Sequence, residues 1–93
     1  MADHFSGKPY LELNLPDGSI HRQFSELTED DELVWHRDRK CRKITVLQSN
    51  GWHFQFDNEM PFELTQGLEF SVPALVFHRI LRGHGPLELI IQE

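Results

Sequence analysis

From Pro9 onward the chain is cut into short apolar–polar runs by turn residues that recur about every eight to twelve positions, and this punctuation points to an all-β fold. Tyr10-Leu11-Glu12-Leu13-Asn14-Leu15 alternates strictly, which places Leu11, Leu13 and Leu15 on one face of a strand. Pro16-Asp17-Gly18-Ser19 then reads as a turn, because Pro pre-sets φ and Gly18 is free to take a positive φ. A second strand over 20–24 closes a hairpin. Residues 25–32 are acidic and lack alternation, so a turn or a single helical turn capped by Ser25 or Thr28 is predicted there. Further strands are predicted over 33–39, 43–48, 52–57, 62–64, 68–72, 77–82 and 87–92. The breaks fall at Ser49-Asn50-Gly51, Asn58-Glu59-Met60-Pro61, Gln66-Gly67, Pro73 and Gly83-His84-Gly85-Pro86. Many short strands with such breaks make a sandwich or a barrel.

Ninety-three residues are enough for one domain, read here as a loose N-terminus over 1–8 and a single β-domain over 9–93. Seven Phe and two Trp supply a core. The net charge of −6 argues against nucleic acid as a partner. The local exception is Arg37-Asp38-Arg39-Lys40-Cys41-Arg42-Lys43, which is either an anion-binding patch or a solvated strand end. Cys41 is the only cysteine, so it has no partner for a disulfide within the chain and no thiolate cluster forms. It reads as a bystander despite its cationic neighbours. No apolar run approaches the roughly 18 residues of a membrane span, and no signal peptide is read at the start, so the expectation is a cytoplasmic protein with no membrane partner.

Along a strand, residues i and i+2 point to the same side. His36 and Asp38 therefore project together, and a His and a carboxylate on one face are two-thirds of the ligand set used by non-haem iron enzymes. His78, on a later strand, is the candidate for the third; the other reading of the same spacing makes His36 and Asp38 surface residues or members of a salt-bridge network with the nearby arginines. The surroundings of these residues resemble the cupin family. Its second motif (Gly, five residues, Pro-x-Gly, two residues, His) is matched by Gly67, Leu-Glu-Phe-Ser-Val, Pro73 and His78. Its first motif is matched in part by His36-Arg37-Asp38, the strand 43–48 and Gly51. Departures are also plain: Asp38 stands where the motif has its second His, Lys43 near its Glu, Leu75 at the glycine of Pro-x-Gly, and Asp30-Asp31 where a Gly precedes.

The resemblance implies a cupin-type double-stranded β-helix, a small jelly-roll barrel. It also implies a divalent metal (Fe, Mn, Zn or Ni) held by His36, Asp38 and His78, and chemistry of dioxygenase, isomerase or lyase type on a small molecule. A homodimer formed through the outer sheet is a further implication, with Trp35 packed between sheets or in that interface. In Trp52-His53-Phe54-Gln55-Phe56-Asp57 the aromatics share one face and the polar residues the other. Either His53 and Gln55 line the cavity as substrate contacts, or the aromatics form the core and the polar residues face solvent. Arg82 shares parity with His78 and is a third candidate substrate contact. His4, His21 and His84 are read as surface residues. A different class of function also stands open: a non-catalytic cupin-fold module that engages a protein partner.

Overall fold

The computed structural model describes residues 10–27 and 33–93. Eight strands form in chain order: β1 (Tyr10–Asn14), β2 (Ile20–Phe24), β3 (Arg42–Gln48), β4 (His53–Phe56), β5 (Phe62–Glu63), β6 (Glu69–Val72), β7 (His78–Leu81) and β8 (Leu87–Gln92). They make a five-stranded sheet of order β1-β2-β8-β3-β6 and a three-stranded sheet of order β5-β4-β7, all antiparallel. There is no helix among the described residues, and so none long and apolar enough to cross a membrane. Thr28 and its neighbours up to Glu32, like residues 1–9, lie outside the described residues; the described part of the acidic stretch, Ser25 to Leu27, ends in a turn.

Alternation decides which residues meet between the sheets. In β8, Leu87, Leu89 and Ile91 point inward and are almost fully buried. Register sets Phe24 of β2 and Ile44 and Val46 of β3 beside them. Val72 of β6 completes that layer, and Trp52, Phe54 and Leu64 face it from the other side. Each such side chain contributes about 1.5–3 kcal/mol of transfer free energy. The β1–β2 hairpin is tied by its turn: Ser19 donates to Asp17 Oδ1 from both N–H (2.9 Å) and hydroxyl (2.6 Å), and Gly18 has φ 90°.

The structure corrects the sequence reading at one segment and settles two points that the sequence left open. The leucine face of β1 is the outer one. Leu13 pairs with His21, which pairs with Ile90, on the outer side of the sheet, and Leu13 is exposed. The inner positions of β1 include Glu12, whose carboxylate accepts from the Arg22 guanidinium across the hairpin. The predicted strand over 33–39 reduces to a single bridge, His36 to His78, because Val34, Trp35, His36 and Arg37 are all exposed and no long ladder forms there. Finally, Leu75 adopts φ 65° where the motif calls for glycine, so the turn before β7 survives without its usual residue. A left-handed conformation costs a β-carbon residue about 1–2 kcal/mol. The Leu75 N–H, donated to the Asp38 carbonyl at 2.8 Å, helps to hold it there.

Candidate metal centre

Three backbone hydrogen bonds bring the site together. His36 and His78 exchange N–H···O=C bonds (3.0 and 2.8 Å), and Leu75 N–H reaches the Asp38 carbonyl. The segment carrying His36 and Asp38 is thus laid against β7, and its alternation turns both side chains toward His78. One potential ligand atom from each of His36, Asp38 and His78 lies within 4.8 Å of the others. The imidazole centroids are 4.4 Å apart, and His78 Nε2 is 3.4 Å from Asp38 Oδ2.

The donor set suits a cation. His36 Nδ1 lies 2.9 Å from the Val34 carbonyl and His78 Nδ1 lies 2.9 Å from that of Val76. Each Nδ1–H donates to a carbonyl, which fixes the tautomer and leaves the Nε2 lone pair free, the arrangement metal-ligating histidines use. Asp38 Oδ2 is buried and has no hydrogen-bond partner. A buried carboxylate oxygen left in this state costs free energy, and a cation beside it would remove that cost. His36 is exposed while His78 is buried, so the cluster opens to solvent on the His36 side.

Beneath His78 the barrel is filled. Phe54 stacks on the imidazole with centroids 5.3 Å apart and 17° between planes, and it also contacts Phe56, Phe62 and Phe70. This burial is the main reason that the His78 imidazolium is disfavoured and its pKa lies below the ordinary 6.5. The Val76 carbonyl and Asp38 oppose the shift, whereas His36 and Arg42 add to it. With the folded value depressed, protons bind the unfolded chain more tightly. His78 then contributes fully to stability above pH about 6.5, and its contribution is lost as pH falls from there through the folded value. The urea midpoint of the metal-free chain is expected to fall between pH 7.5 and 5, and His78→Phe to flatten that slope. An unchanged slope in the variant would assign the pH dependence to other groups.

The other candidate contacts are not brought to the cluster. Phe54 and Trp52 take the inner face, so β4 turns His53 and Gln55 outward. There His53 Nδ1 lies 3.0 Å from the Gly51 carbonyl, and Gln55 accepts from Arg79 Nε (2.9 Å) while donating to the Glu59 carbonyl (2.9 Å). Arg82 follows the last residue of β7, four positions from His78 and so about 13 Å along the strand. Trp35 is part-exposed, with the Arg79 guanidinium 4.6 Å above its ring, and Arg37 covers Phe77 at 5.0 Å. Cys41 is exposed and free. Arg42, missed as a site residue at the sequence level, lies beside Asp38 (3.6 Å) and Glu93 (2.9 Å). Its one sequence signal was membership of the basic run.

No protein-family model matches the sequence, and a search of curated proteins finds no significant relative. Solved structures do match. A cupin domain from Bordetella pertussis aligns with TM-score 0.64 at 12% identity, over 90% of this chain and 91% of that one. A DMSP lyase structure aligns with TM-score 0.69 at 18% identity, over 88% of this chain and 44% of that one. Iron(II) HppE in complex with substrate aligns with TM-score 0.62 at 20% identity, over 88% of this chain and 51% of that one. The chain thus spans about half the length of the two enzymes. Its own fold is that of the cupins.

Proposed function

We propose that this cupin-fold chain holds one divalent cation through His36, Asp38 and His78 and acts there on a small molecule, as a non-haem metal-dependent enzyme of dioxygenase or isomerase type. The observation that carries the reading is the unpartnered Oδ2 of Asp38, buried between two imidazoles whose Nδ1 atoms are already committed. Two neutral imidazoles and one carboxylate suit Fe(II), Mn(II), Zn(II) or Ni(II). The iron of HppE supports the first of these. When bound, the cation supplies Lewis acidity and positions open to a small ligand. The chain's own part is to fix the three donor atoms, to exclude water from below through Phe54 and its aromatic neighbours, and to leave access beside His36.

A second reading has its own observation. Val34, Trp35, Leu75 and Phe77 are exposed next to the cluster, and the aromatic packing leaves the barrel interior filled. A non-catalytic interaction module would use such a face, and a second copy of the chain, giving a homodimer, is its simplest occupant. Elemental analysis after reconstitution with each of the four metals separates the readings. The first expects near-stoichiometric metal in the wild type and loss of it in His36→Ala and His78→Ala. Metal-free wild type, with the variants folded, overturns it. The mass in solution then tests the second.

A further inference from the structure

Resting on the metal reading above, we propose that the ligand of this site is a small oxyanion, a carboxylate or a phosphate-type group, and that Arg42 binds it. Arg42 opens β3, and its register opposite the buried Val72 places it on the inner side of the sheet, at the end of the barrel where the cluster lies. Its hydrogen bonds, among the described residues, come from one side only. Nε donates to Glu93 Oε2 at 2.9 Å and Nη2 contacts the same oxygen at 2.9 Å. Nη1 points the other way and stops 3.6 Å from Asp38 Oδ2, beyond hydrogen-bond distance. The edge of the fork that faces the cluster therefore has no hydrogen-bonded partner among the described residues, and the carboxylate oxygen it approaches has none either.

Charge decides what would fill that gap. With a divalent cation in place and both imidazoles neutral, as ligation requires, the cation and Arg42 carry three positive charges against the two carboxylates of Asp38 and Glu93. One positive charge is left over. Asp38 is then committed to the cation, and Nη1 is released toward whatever occupies the open side. Arg37, Arg39 and Lys40 flank Asp38 in sequence, so the stretch from 37 to 43 that leads into β3 is basic. Among the described residues, the acidic groups paired with Arg42 are Asp38 and Glu93. Arg42 also lines an open groove of about 470 Å³ with Glu93, Lys43 and Pro73, a groove that His36, Asp38 and His78 do not line, while the cluster itself opens to solvent beside His36. A planar fork beside a cation matches an oxyanion that gives one oxygen to each, which a neutral ligand of the same shape cannot do.

The test uses nickel-loaded full chain, with nickel content measured first in every sample. Lactate and methylphosphonate are titrated calorimetrically, with lactamide as the neutral control. At least one anion is expected to bind well above lactamide. Arg42→Gln is expected to weaken it by about ten- to a hundredfold, the range for a charged hydrogen bond, with nickel content unchanged. Glu93→Gln keeps the guanidinium, removes its competing carboxylate and is expected to bind the anion at least as tightly as wild type, so the proposal stays open to refutation even if Arg42→Gln does not fold. Which anion binds decides between carboxylate and phosphate-type ligands. Loaded wild type that binds neither anion, Arg42→Gln that binds as tightly as wild type, or Glu93→Gln that binds more weakly overturns the proposal alone. Wild type that holds no nickel removes the metal reading first.

Discussion

Trp52→Ala is expected to leave most of the chain unfolded at 25 °C, seen as loss of a cooperative urea transition. Trp52 is fully buried between the sheets, its ring is 5.7 Å from Phe24, and its indole N–H donates to the Gly85 carbonyl at 2.6 Å. Its backbone carbonyl also accepts from Leu64 N–H, so the residue joins β4 to the turn before β8 and to the segment after β5. Deleting a buried aromatic costs about 3–5 kcal/mol, and orphaning a buried carbonyl about 1–3 more. Small domains sit toward the low end of about 5–15 kcal/mol of total stability, so the loss is comparable with the whole. The close approach of Gly83 adds to it. A β-carbon there would meet the Trp52 ring at 2.6 Å and the Asn50 carbonyl at 2.1 Å, which shows how little slack the junction has. Trp52→Phe, which keeps an aromatic ring but not the donor, is expected to fold with a lowered midpoint. A shift below about 1 kcal/mol for the alanine variant would mean that the core relaxes around the gap.

The second large effect separates metal from fold. Asp38→Asn keeps the size of the side chain and the Leu75-to-Asp38 backbone bond but removes the charge, and it is expected to lower divalent-metal affinity by at least about a hundredfold. The metal-free variant should be at least as stable as wild type, because the oxygen left without a hydrogen bond no longer carries charge. The weak pairings to Arg42 (3.6 Å) and His78 (3.4 Å) are little to lose. Metal content by elemental analysis and urea midpoints of the stripped proteins check the two halves. Unchanged metal content would show that Asp38 is not a ligand, and a strongly destabilised apo form would make its ion pairs structural.

Much of this was legible in the sequence because it depends on local chemistry. Gly18, and Gly67 with φ 88°, sit where the turn pattern needs positive φ, and β2 and β8 run over the residues that alternation marks. His36 and Asp38 share a side as their i, i+2 spacing suggests, and the His36–His78 bridge with the Leu75-to-Asp38 bond brings them to His78. What was not legible depends on which face turns inward. Alternation in 52–57 gives two faces but not their order, and packing put Trp52 and Phe54 inside. The same ambiguity hid the exposed side of Leu13, whose outward position follows from register with His21 and Ile90. Arg42 looked like one more member of a basic run. Only its pairing opposite Val72 aims it at Asp38. Leu75 shows the limit of motif glycines, since its left-handed backbone is held by a partner far away in sequence.

Two of the three candidate ligands ride on a segment that meets β7 at one isolated bridge and reaches the turn before β7 through one more hydrogen bond. Any cation that engages all three residues is therefore also a cross-link, closing a seam that the backbone alone only bastes. By linkage, occupancy would suppress local opening of that seam more than it would raise global stability. The amide protons of His36, Leu75 and His78 would report it, exchanging as freely as a frayed edge when the seam is unpinned and slowing together when it is pinned.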